Sequence, residues 1–70
     1  MMKYLERHYS NLSLAEQKSK LASIMNRLKG LNFLDPDTLG EVVDSLMSEE
    51  GWTLARVLAH LDMIDHDERT

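Results

Sequence analysis

Leu39, Val42, Val43, Leu46 and Met47 recur at i, i+3, i+4, i+7 and i+8, the spacing at which side chains share one face of an α-helix. The same 3.6-residue period runs through every long segment, and no segment alternates with the period of two that a half-buried strand needs. The chain is therefore expected to be all-α, a small bundle of three main helices over about 14–29, 36–47 and 49–65 with a short N-terminal helix over about 2–9. At 70 residues it is one helical domain, 1–70, with a frayed C-terminal tail at 66–70.

Local chemistry sets the boundaries. Met2, Leu5, Tyr9 and Leu12 make one short stripe, and a helix that short persists only by docking. Ser13-Leu14-Ala15-Glu16 reads as a capping box. Leu14, Leu21, Ile24, Met25 and Leu28 then share a face, with Arg27 and Lys29 in the last turn and Gly30 where a terminating glycine belongs. Phe33 and Leu34, in an apolar connection, are expected to plug one end of the core. Asp35-Pro36-Asp37 combines an N-cap, a proline at the first helical position and an acid behind it.

The last helix has two possible starts. Ser48 caps it if Glu49 and Glu50 occupy its first turn, with Met47 packing on Trp52; alternatively Gly51 ends the third helix and Thr53 caps a shorter fourth. The Ser48 start is preferred here, because acids stabilise a first turn and not a last one. Leu54, Val57, Leu58, Leu61 and Ile64 form its core stripe on either reading.

Composition excludes several function classes. Zero cysteines remove disulfides, thiolate metal sites and cysteine nucleophiles, and for a chain this small they point to the cytoplasm. No apolar run is long enough to cross a membrane, and the charged start is no signal peptide. No phosphate-binding glycine loop or nucleophile elbow is present, and so small a bundle has little room to enclose a substrate pocket. A non-enzymatic chain with no cofactor, no metal and no small-molecule substrate is expected. His60, Asp62, Asp65, His66 and Asp67 cluster, and Asp62 with His66 has i, i+4 spacing, but a fixed metal site needs three or four protein ligands and these sit near a chain end. His8, Tyr9 and Ser10 are neighbours in sequence and no catalytic set. The start at methionine without a tag reads as a complete small gene product, of the kind expected for a bacterial or phage accessory protein.

Two features are left to carry function. Trp52, Ala55, Ala59 and Met63 form a second apolar stripe on the last helix, away from the first. Its cover is the N-terminal helix, a second copy in a homodimer, or another protein. Charge is also unevenly divided: residues 1–34 have a balance of +4, residues 35–70 of −8, and the chain's −4 hides both. The acids Asp37, Glu41 and Asp44 on the third helix are expected to orient a protein partner. A protein-interaction or regulatory module binding through the last helix is the reading these features favour. The alternative is a small dimeric nucleic-acid-binding regulator using Lys18, Lys20, Arg27 and Lys29 on the second helix, with Lys20 and Arg27 on its solvent face.

Overall fold

A computed structural model describes residues 2–30 and 35–69 of the chain. Four helices are present, α1 (Met2–Ser10), α2 (Leu14–Gly30), α3 (Pro36–Ser48) and α4 (Leu54–Arg69), with no strand among the described residues. Phe33 and Leu34 lie outside the described residues.

The helix starts follow from side-chain caps. The Ser13 hydroxyl accepts from the Glu16 amide at 3.2 Å while the Glu16 carboxylate accepts from the Ser13 amide at 3.2 Å, closing the capping box at the head of α2. Those bonds favour the ionised Glu16, whose carboxyl is held below its ordinary range. Asp35 caps α3 by accepting from the Asp37 and Thr38 amides at 3.0 and 3.1 Å, with the Thr38 hydroxyl on its second oxygen. Its pKa is lowered, chiefly by the two bonds from Thr38.

The junction of α3 and α4 differs from the preferred expectation. Helix α3 continues through Ser48, whose hydroxyl donates back to the Asp44 carbonyl at 2.7 Å within the same helix. Gly51 then adopts φ of +71°, and the reversal lets the Trp52 amide donate to the Leu46 carbonyl at 3.0 Å. Thr53 caps α4, its hydroxyl accepting from the Arg56 amide at 3.2 Å. Dipole stabilisation by Glu49 and Glu50 is a matter of about 0.3–1 kcal/mol each at an exposed end. A glycine turn followed by a threonine cap outweighs it. The fourth helix begins at Leu54, not at 49, and continues to Arg69 across most of the segment expected to fray.

A β-carbon at Gly51 would meet no atom within 4 Å, so substitution there tests backbone conformation alone. Gly51→Ala is expected to destabilise the chain by about 1–2 kcal/mol, with Gly51→Asn costing less because asparagine tolerates the left-handed region. Urea denaturation of the two variants measures the difference.

Helix α4 is the hub of the bundle: α1 and α2 pack against it extensively and α3 more sparsely. Ile24 and Leu28 of α2, Leu39 and Val43 of α3, Tyr9 of α1, and Val57, Leu58 and Leu61 of α4 make the centre of the core. Three residues assigned to core stripes by spacing are largely in water: Leu14 is 61% exposed, Val42 44% and Met47 38%. Leu14 lies in the first turn of α2, where nothing reaches to cover it. Val42 and Met47 flank the face of α3 that meets α4.

Candidate functional site

The second stripe of α4 divides along its length. Ala55 and Ala59 are buried in the core, while Trp52 and Met63 are half-buried. Small side chains let α1 approach this face closely, and α1 is the helix packed most extensively on α4. The middle of the stripe is therefore covered from within the chain, so Ala55 and Ala59 are not available to a partner. Trp52 and Met63 remain partly accessible.

Trp52 sits where two local devices place it, between the Gly51 reversal and the Thr53 cap. The Arg56 guanidinium lies 4.0 Å from the indole centroid, in cation–π contact. The His60 ring centroid is 4.6 Å from that of Trp52, tilted at 49°. His60 Nδ1 lies 2.9 Å from the Arg56 carbonyl. A carbonyl only accepts, so Nδ1 carries the proton in this contact, and a neutral ring would keep its lone pair on Nε2. Arg56 and His60, one turn apart on α4, thus both pack on Trp52 in the preceding turn.

Two concavities meet at this trio. The first, about 490 Å³ and open to solvent, is lined by Lys3 and Glu6 of α1 with Trp52, Thr53, Arg56 and His60. The second, about 270 Å³, lies between α3 and α4. Its walls are Leu39, Val42, Val43 and Leu46 on one side and Val57, His60, Leu61 and Ile64 on the other, with Trp52 before the start of α4. It exists because α3 meets α4 sparsely, leaving an apolar furrow where α1 and α2 pack closely on α4. Sequence spacing missed the furrow: it identifies which residues share a face, not how closely two faces meet.

The remaining site residues are placed as follows. Asp37, Glu41 and Asp44 are exposed. At about 100° per residue they fall on the face of α3 opposite Leu39, Val43 and Leu46, so they do not border the furrow and cannot touch a partner seated in it. Lys18, Lys20 and Lys29 are exposed on α2. Arg27 is only partly on the solvent face: 39% of its side chain is in water, but its Nε is buried 3.1 Å from Oδ2 of the buried Asp65. The cationic set proposed for nucleic acid loses its one arginine to this pair.

The C-terminal cluster of His and Asp is occupied by the fold itself. Asp62 accepts from the Tyr9 hydroxyl at 2.8 Å, and Asp65 faces Arg27. Among the described residues no group of three or more His, Cys, Asp or Glu is placed to hold a metal ion. His8 and Tyr9 make an edge contact at 5.2 Å, but the Tyr9 hydroxyl goes to Asp62 and the Ser10 hydroxyl to the Arg7 carbonyl, so the three share no chemistry.

Burial, then the hydrogen bond to Asp62 and its charge, push the Tyr9 phenol up to about 12, against a smaller lowering by Arg27. A raised acid pKa means that the folded chain holds its proton where the unfolded chain, near 10, has lost it. This contribution to stability is complete below pH 10 and lost as the pH rises from 10 to about 12. Phenolate absorbance is expected to show one tyrosine titrating near pH 12, and Tyr9→Phe to remove that step.

Compared with protein-family models, curated proteins and solved structures, the chain matches none. No described helix is long and apolar enough to cross a membrane.

Proposed function

We propose that this chain is a non-enzymatic protein-interaction module of the cytoplasm, and that an amphipathic segment of another protein seats its apolar side chains in the furrow between α3 and α4. The observation that carries the reading is the furrow itself: an open groove with apolar walls, floored by the core and ending at the chain's one tryptophan. Tryptophan is among the residue types most enriched at the anchor points of interfaces. A volume near 270 Å³ takes a few apolar side chains. It is a slot rather than the broad self-complementary patch, about 800 Å² per subunit, of a stable homodimer. That favours an inserted segment over a second copy.

Selection of random peptides displayed against the immobilised protein tests the proposal. Peptides with apolar residues at helical spacing are expected to be enriched, and their binding to fall at least tenfold on Val42→Asp. That change buries a carboxylate against hydrocarbon only when the furrow is occupied. Val42 is already largely exposed, so the variant keeps its fold, which circular dichroism checks. An enriched pool indifferent to Val42→Asp would sink the reading. Mass measurement over a range of concentrations adds the other outcome: a dimer dispersed by Val42→Asp would make a second copy the occupant.

A further inference from the structure

Lys3 from α1 and Arg56 from α4 line the concavity that shares Trp52 and His60 with the apolar furrow. Glu6 is the one acid among its lining residues, and Glu49 and Glu50 precede the lining Gly51 in the turn. No carboxylate among the described residues lies within ion-pair distance of Lys3 or Arg56.

Arg56 is also held in position. A guanidinium stacked on an indole keeps the N–H donors along its edge available, and the stacking removes rotamer freedom that an anion would otherwise have to freeze out. The amino end of α4 lies beside it and adds partial positive charge. The acids of α3 stand on that helix's far face, and at physiological salt an exposed charge is largely screened beyond about 8 Å. Local charge, not the net −4, decides what approaches Trp52.

We propose that Lys3 and Arg56 accept a side-chain carboxylate of the partner, so that the furrow's occupant is an amphipathic segment with an Asp or Glu at the end that lies against Trp52. The inference rests on the furrow reading and adds the partner's charge to it. It gives the orienting role to Lys3 and Arg56, where the sequence had pointed to the acids Asp37, Glu41 and Asp44.

Inversion of specificity is the test. Random peptides are selected in parallel against the wild-type protein and against Lys3→Glu/Arg56→Glu. Glutamate in the first turn of α4 suits the helix dipole, so the double variant is expected to fold; should it not, Lys3→Gln and Arg56→Gln singly serve instead. Wild-type pools are expected to carry the apolar stripe with Asp or Glu at one end. The double variant's pools keep the stripe and exchange the acid for Lys or Arg, and the single variants bind the wild-type peptides several-fold more weakly. A stripe with no charge preference, or one that ignores the substitutions, overturns this inference and leaves the furrow standing. Absence of any stripe that depends on Val42 overturns the furrow reading, and this one with it.

Discussion

Leu58→Ala is expected to destabilise the chain by about 3 kcal/mol, within the roughly 2–5 kcal/mol that a buried leucine-to-alanine change costs. Leu58 is fully buried on the helix that the other three all contact. Its removal therefore opens a cavity between elements joined by the same side chain, where no single helix can shift to close it. A domain of this size has a total stability of about 4–10 kcal/mol, so one substitution removes a third or more of the whole. Urea denaturation, followed by Trp52 fluorescence and by circular dichroism, is expected to show a much lower midpoint. Leu14→Ala is the control. The two leucines occupy equivalent core positions by spacing, yet Leu14 is in water and its loss is expected to fall within about 0.5 kcal/mol. A cost at Leu58 below 1 kcal/mol would mean that α4 is not the hub.

That contrast marks how far the fold is legible in the sequence. Helix identity is legible because it rests on a period repeated many times, and caps are legible because they act over three residues: Ser13 with Glu16, Asp35 with Thr38. The start of α4 was open to two local readings of similar size, and it went to the backbone reversal at Gly51 and the Thr53 hydroxyl. Leu14, Val42 and Met47 show the limit of periodicity, which gives the direction of a stripe but not where its neighbours end. Of the candidate site, Trp52 was legible from its type and register. Its partners Arg56 and His60 were not legible in that way, because Trp52 lies before the first residue of α4 and the turn at Gly51 sets where its ring falls. Lys3 was not legible, because only the docking of α1 on α4 brings it to the same concavity.

The pair Arg27–Asp65 belongs to that last class, and it yields the second large effect. Nothing in the spacing of α2 or α4 announces it: Arg27 looks like a C-terminal dipole charge and Asp65 like part of an acidic tail. Their approach at 3.1 Å is off the N–H axis, so charge rather than a linear hydrogen bond holds them. Asp65 is almost wholly buried while Arg27 keeps 39% of its side chain in water. Arg27→Met is therefore expected to cost about 2 kcal/mol, below the roughly 3–5 kcal/mol for stripping one partner from a fully buried pair. The cost arises from removing one of the groups that face the buried Asp65 carboxylate. Arg27→Met/Asp65→Leu removes the buried carboxylate as well and is expected to recover part of the loss. A double-mutant cycle by urea denaturation then gives a coupling of about 1–2 kcal/mol. Additive single changes would instead show that Arg27 is a free surface cation. It would then rejoin Lys18, Lys20 and Lys29 as a basic face of α2, and the case for nucleic-acid binding would reopen on that result.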